Sequence, residues 1–123
     1  MENGKQFGDL IEFCDFDFTA RVAKVNLATL WSLAQGPATP RGARIDATVL
    51  TNQSTLRWQA NTEADLAGYE VVWRETSEPE WSRVIAVGNV TEVTIDLAKD
   101  NVMFGIRAVD SQGHRSPVAF PQP

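Results

Sequence analysis

Two patterns of hydrophobic residues divide the chain. Between Asp15 and Ala34 the apolar residues recur with helical spacing, which predicts one long α-helix. Residues 36–42 contain two prolines and two glycines, a density of helix breakers that is typical of a linker. After the linker, apolar and polar residues alternate in short runs, as they do in β-strands. We therefore predict a helical segment over residues 1–35, a linker over 36–42 and a β-domain over 43–123.

The predicted helix is apolar over most of its circumference. Asp15 and Asp17 lie at its start, where carboxylates can accept hydrogen bonds from free backbone N–H groups. The apolar side chains that we assign to an interaction surface on this helix are Val22, Val25, Leu27, Leu30 and Trp31. A helix of this kind needs burial on more than one side. We expect it to pack against a partner domain or to self-associate as a symmetric homodimer.

Seven short alternating segments separated by turn-rich stretches follow the linker, and they predict a seven-stranded, mostly β sandwich. Trp58 and Tyr69 are expected in its core. By alternation, three apolar residues point away from the core, and two larger side chains, an arginine and a tryptophan, accompany them as candidates for an interaction surface. These five residues are Val72, Arg74, Trp81, Met103 and Val109. Trp81 is expected either to pack within the domain or to stack on a sugar or an arginine plane.

Composition and charge exclude several classes of function. The 123 residues are 43% hydrophobic and 22% charged, which is ordinary for a globular domain. A net charge of -5 argues against nucleic acid and anionic membranes as partners. No apolar run is long enough to span a bilayer. One cysteine and one histidine exclude an internal disulfide and a cysteine-based zinc cluster, so we assign no catalytic residue, metal ligand or cofactor to this chain.

Two clusters of polar residues resemble sites but have simpler explanations. Asp110, His114 and Ser116 have the composition of a hydrolytic triad, yet a turn between strands favours the same residue types. Four carboxylates precede or begin the helix without the spacing of a calcium loop, and helix capping explains them better. These residues are Asp9, Glu12, Asp15 and Asp17.

Three smaller features concern single residues. Asn52-Gln53-Ser54 and Asn89-Val90-Thr91 both match the N-glycosylation sequon and lie in predicted turns. Arg41-Gly42-Ala43 lacks the aspartate of an Arg-Gly-Asp adhesion tripeptide, and we interpret it as part of the linker. Cys14 precedes an apolar helix and is expected to be buried as a small hydrophobic residue.

Residues 43–121 resemble a fibronectin type III domain. The similarity rests on Leu56-Arg57-Trp58 in the second strand, on the third strand from Leu66 to Arg74, and on Ile106-Arg107-Ala108-Val109-Asp110 with the turn that follows. This resemblance implies a fibronectin type III-like, immunoglobulin-like sandwich. The family often has a tyrosine where Val102 stands here, so the hydrogen bond of that corner must be absent or replaced.

The chain also resembles the C-terminal end of bacterial di-zinc aminopeptidases that carry a fibronectin-like tail. The match lies in Gly8 to Phe18 and in Ala20 to Asn26, which look like the last helix of the peptidase fold and its lead-in. Lys5 falls where that family places its last zinc-ligand histidine, and an ammonium group cannot bind zinc at neutral pH. The resemblance therefore implies a chain without the catalytic domain and its zinc.

These similarities imply a non-catalytic C-terminal accessory module. Its parent would be an exported zinc aminopeptidase, and the module's partner would be the peptidase catalytic domain or a second copy of the chain. A free-standing sandwich that binds protein or glycan is the alternative, since this architecture hosts many functions. Binding that depends on Trp81 would favour the alternative.

Overall fold

The computed structural model describes Gly4, Gly8 and residues 10–123. The chain separates into two compact units, Met1–Ser32 and Leu33–Pro123. The first contains a short 3-10 helix over Ile11–Phe13 and most of α1, which runs over Phe16–Gln35. The second contains six β-strands. Asp9 and Lys5, to which the sequence assigns roles, lie outside the described residues.

Helix α1 begins and ends where local sequence signals place it. The Asp15 carboxylate accepts a hydrogen bond from the Phe18 backbone N–H at 3.0 Å, and the Thr19 hydroxyl donates to the Asp15 carbonyl at 2.9 Å. Asp15 thus satisfies donor groups that have no partner inside the helix. Gly36 and Pro37 follow the last turn. The prediction of one long helix is confirmed, with its end one residue beyond Ala34.

The strands form two antiparallel three-stranded sheets with the orders β1-β2-β5 and β4-β3-β6. The bounds of the six strands are β1 Arg44–Ile45, β2 Ser54–Arg57, β3 Leu66–Glu75, β4 Arg83–Gly88, β5 Glu92–Ile95 and β6 Val102–Asp110. In the larger sheet, Val71 pairs with Ile85 on one side and with Ile106 on the other. The inward-facing residues of β3 and β6 therefore lie side by side.

The core contains the residues that alternation predicts to face inward. Its buried members are Ala43, Leu56, Trp58, Tyr69, Val71, Ile95, Phe104, Ile106 and Ala108. The rings of Trp58 and Tyr69 meet edge to face with centroids 5.3 Å apart. The Tyr69 hydroxyl accepts a hydrogen bond from the Asn61 backbone N–H at 2.6 Å. The predicted core role of Trp58 and Tyr69 is confirmed, and Val102 at the family's tyrosine position is only half-buried.

The predicted seventh strand is not formed in the described part of the chain. Residues 114–119 follow β6, but only isolated bridges join them, at Val109–Arg115 and Ile106–Ala119. Between these bridges Pro117 has no N–H to donate, and the Ser116 hydroxyl, rather than a carbonyl, accepts the Ala108 N–H at 2.9 Å. This local irregularity ends the regular ladder, so six strands replace the predicted seven.

Two further expectations are wrong. The alternation at Ile45, Ala47 and Val49 predicts a longer first strand, but the Asp46 carboxylate accepts hydrogen bonds from the Thr48 N–H and hydroxyl and turns the chain. β1 therefore ends at Ile45. Cys14 is exposed rather than buried, because the helix that follows it buries none of its residues.

Candidate interaction surfaces

The apolar side chains of α1 form the first candidate surface. Within the described residues, no helix side chain is buried, although this helix has many large hydrophobic side chains. The five that the sequence assigns to an interaction surface are between 41% and 67% exposed: Val22, Val25, Leu27, Leu30 and Trp31. Phe16, Phe18 and Leu33 are exposed as well. Such a set of exposed apolar side chains on one helix makes α1 a candidate interaction surface.

The second candidate surface lies on the outer face of the β4-β3-β6 sheet and centres on Trp81. The guanidinium of Arg74 lies over the indole ring, 5.5 Å from its centroid, and the ring of Phe120 lies 5.6 Å away. Arg74 also donates a hydrogen bond to the Glu78 carbonyl, which fixes the arginine beside the ring. Trp81 is half-buried. Trp81 thus contacts an arginine plane and an aromatic ring of its own domain.

Val72 does not form part of an exposed surface, contrary to the prediction. Alternation correctly places it on the outer face of the sheet, but its side chain is fully buried (0% exposed). Gly105 lies opposite Val72 on the neighbouring strand β6. If Gly105 had a Cβ, this atom would clash with the Val118 side chain and would lie 3.1 Å from the Val72 side chain and 3.2 Å from the Trp81 ring. The missing side chain of Gly105 therefore lets Trp81 and Val118 cover Val72. Met103 and Val109, predicted on the same face, are half-buried.

Elsewhere on β3, one buried carboxylate binds two arginines. Glu70 accepts hydrogen bonds from Arg107 Nε at 2.7 Å and from Arg115 Nε at 3.0 Å and Nη2 at 3.1 Å. Burial raises the pKa of Glu70, but the hydrogen bonds and charges of Arg115 and Arg107 outweigh it, so its pKa lies below the ordinary value. The pKa of Arg115 is raised by the same contact. The cluster holds the last segment of the chain to β3.

The residues of the triad-like set form a turn. Asp110 Oδ1 accepts the backbone N–H groups of Gln112 and His114, and its Oδ2 lies 2.8 Å from His114 Nδ1. The Ser116 hydroxyl donates to the Pro117 carbonyl at 2.8 Å and accepts the Ala108 N–H. Burial raises the pKa of Asp110, yet the His114 hydrogen bonds outweigh it and lower the pKa. The Ser116 oxygen is thus bound to backbone groups and not to the imidazole.

The described residues do not fit a zinc ion. No group of three histidine, cysteine, aspartate or glutamate side chains comes together in residues 10–123. The chain's one histidine is bound to Asp110, and the carboxylate of Asp15 caps the helix. No helix among the described residues is long and apolar enough to cross a membrane.

Comparison with curated proteins gives relatives over almost the whole chain. A "Probable zinc metalloprotease" of Pyrenophora tritici-repentis is 58% identical over 122 residues, 99% of this chain and 25% of its own length. A protein of the same description from Leptosphaeria maculans is 52% identical over 122 residues, 99% of this chain and 28% of its own length. The chain therefore spans about a quarter of the length of these relatives. They are fungal, so the bacterial source that the resemblance implied is not supported.

Comparison with solved structures supports the fold. The chicken CNTN1 FN1–FN3 domains superpose with a TM-score of 0.57 at 16% identity, over 72% of this chain and 33% of theirs. The Clostridium perfringens spore cortex lytic enzyme SleM gives a TM-score of 0.51 at 23% identity, over 72% of this chain and 29% of its own. The sandwich is fibronectin type III-like. No family model matches the chain.

The sequence assigned no role to Phe120, to Gly105 or to the charged cluster of Glu70, Arg107 and Arg115. Phe120 is 52% exposed, and its ring packs beside Trp81. The alternating charges of Glu70 and Arg107 on adjacent strands were the one available signal for the charged cluster. The partner Arg115 lies 45 residues from Glu70 and gives no local signal.

Proposed function

We propose that this chain is a non-catalytic C-terminal accessory module of an exported zinc aminopeptidase. The observation that carries the proposal is the exposed apolar helix: a 20-residue helix with no buried residue needs a partner surface. The relatives support the kind of partner, because the chain matches only a quarter of proteins described as probable zinc metalloproteases. In this proposal α1 docks on the catalytic domain, which the remaining three-quarters contain.

The sandwich has a separate role in the proposal. It restricts which substrates reach the catalytic domain. The resemblance to aminopeptidases, which rests on Gly8 to Phe18, implies that the substrates are peptides with a free amino terminus. Export follows from the same resemblance. The Ser116 hydroxyl is bound to backbone groups and not to His114, so the triad-like set of this turn is not arranged as a catalytic triad, which supports a non-catalytic role.

The test combines this chain with the complementary part of its Pyrenophora tritici-repentis relative. The two purified proteins are mixed, and the mass of the complex is measured by light scattering. We expect a one-to-one complex that Leu30→Lys abolishes, because a charge replaces an apolar contact. Ser32→Lys adds the same charge at a polar position of the same helix and serves as the matched control. Absence of a complex, or equal loss with both variants, would contradict the proposal.

Enzyme specificity is tested on the intact relative. We expect it to cleave peptides with a free amino terminus and not their acetylated counterparts, in a zinc-dependent manner. Removal of the region that matches this chain should change the preference for peptide length more than the rate on a minimal substrate. Cleavage of acetylated peptides at an equal rate would exclude the aminopeptidase part of the proposal. The accessory role of this chain would then still be tested by the binding experiment.

A further inference from the structure

The two N-glycosylation sequons differ in what the fold does to their third residue. In Asn89-Val90-Thr91, which lies in the turn between β4 and β5, all three residues are exposed. Within the described residues, neither the Asn89 amide nor the Thr91 hydroxyl takes part in a hydrogen bond between side chains or to the backbone. The hydrogen bonds of this sequon are backbone ones: the Val90 N–H donates to the Gly88 carbonyl at 3.1 Å, and the Thr91 carbonyl accepts the Trp58 N–H at 3.0 Å. This sequon is presented intact on the folded surface.

In the second sequon, Asn52-Gln53-Ser54, folding buries the third residue. Asn52 and Gln53 are exposed, but Ser54 is the first residue of β2 and is fully buried. Its hydroxyl donates a hydrogen bond of 2.6 Å to the Leu97 carbonyl. Recognition of a sequon requires the hydroxyl of its third residue. Asn52 can therefore be recognised only before β2 pairs with β5.

We propose that Asn89 is an N-glycan attachment site of this protein and that Asn52 is a minor one. The proposal rests on the exported parent of the proposed function, and the fungal relatives place the chain among organisms that attach such glycans. The donor is an oligosaccharide linked to a lipid diphosphate. The Asn89 side-chain nitrogen forms a bond to the anomeric carbon of the first sugar, the bond from that carbon to the diphosphate oxygen breaks, the lipid diphosphate leaves, and the amide loses one proton to the transferase. No oxidation or reduction occurs.

The position of Asn89 suits a large substituent. Gly88 before it has a φ of 74°, and no atom lies within 4 Å of the Cβ that a larger residue would add there. Val90 after it is exposed. Gly88, Asn89, Val90 and Thr91 are all exposed, so a glycan on Asn89 would be attached at a solvent-facing turn.

The experiment is secretion of the full chain from yeast behind a cleaved leader, followed by mass spectrometry of the peptides after enzymatic glycan removal. We expect most molecules to carry a glycan at Asn89 and a smaller fraction at Asn52. Asn89→Gln and Thr91→Ala should each remove the Asn89 glycan, and Thr91→Ser should retain it. Asn101→Gln changes an exposed asparagine outside any sequon and is the matched control.

Two results would overturn the proposal: a secreted, folded chain with Asn89 unmodified, or a higher occupancy at Asn52 than at Asn89. Folding is checked by circular dichroism before and after glycan removal, and we expect the same unfolding midpoint in both forms. Because the experiment supplies the leader, its outcome is independent of the natural location. The accessory role is tested separately by the binding experiment, so the two failures are distinguishable.

Discussion

Gly105 is the residue on which the outer face of the larger sheet depends. Its missing Cβ makes room for Val118 and Trp81, which together bury Val72. We predict that Gly105→Ala lowers the free energy of unfolding by about 1–3 kcal/mol, because the new methyl group must displace packed side chains. Urea unfolding measures this loss. In a double-mutant cycle, Val118→Ala should relieve part of the clash, and strictly additive losses would contradict the packing described here.

Glu70 makes the stability of the sandwich depend on pH. Its pKa is lower in the folded chain than the ordinary value of 4.5, so its contribution is complete above that value and is lost as the pH falls below it. We predict that Glu70→Gln costs about 2 kcal/mol at about pH 7 and much less at about pH 3. Urea unfolding at both pH values measures the difference.

The control for this prediction is an exposed ion pair of the other sheet. Glu92 contacts Arg57, and both side chains are more than half exposed. Because solvent screens such a pair, Glu92→Gln should change stability little at either pH. An equal, pH-independent loss with both variants would show that the Glu70 cluster acts through packing alone.

At the scale of elements, the helix is held mainly by its own sequence. Asp15 supplies the N-terminal cap, and no tertiary burial supports α1 in the described chain. We predict that Asp15→Ala weakens the helix by about 1 kcal/mol and visibly lowers the helical signal in circular dichroism. Asp15→Asn retains the acceptor and should behave like the parent. A loss with asparagine equal to that with alanine would mean that charge, not capping, matters.

The elements that sequence predicts well are those whose signals are local. The cap at Asp15 and the break at Gly36 lie next to the helix they bound, so α1 is predicted within one residue. The extents of the first and seventh strands are not predicted, because side-chain hydrogen bonds interrupt the regular strand pairing there. Asp46 turns the chain after β1, and Ser116 replaces a backbone acceptor beside β6. Alternation shows neither bond.

The two candidate surfaces also differ in whether local sequence signals predict them. The exposed apolar side chains of α1 follow directly from their helical spacing. Val72 was assigned to the correct face of the sheet but to the wrong environment. Alternation gives the face, whereas the cover comes from Trp81, which lies beyond the end of β3, and from Val118 near the last residues of the sequence. Sequence spacing alone carries no information about such distant contacts.

At the scale of the whole molecule, the apolar helix predicts association. We expect the full chain alone to form a dimer in solution, and residues 36–123 to be a folded monomer. Light scattering on both, with reductant to keep the exposed Cys14 free, measures the masses. A monomeric full chain would contradict the role given to the helix. A dimer of residues 36–123 would place the contact on the sandwich instead.

The broken pairing beside β6 limits how copies of this molecule can join through their sheets. Open-ended fibre growth needs two free sheet edges, each of which accepts the strand of a neighbour. In the larger sheet the β6 edge is already occupied by residues 114–119, and Pro117 makes that segment a poor template. Within this sheet, the β4 edge is therefore the edge that can pair with a second molecule. Pairing of two β4 edges closes after two molecules, so contacts through the larger sheet should give finite pairs rather than fibres.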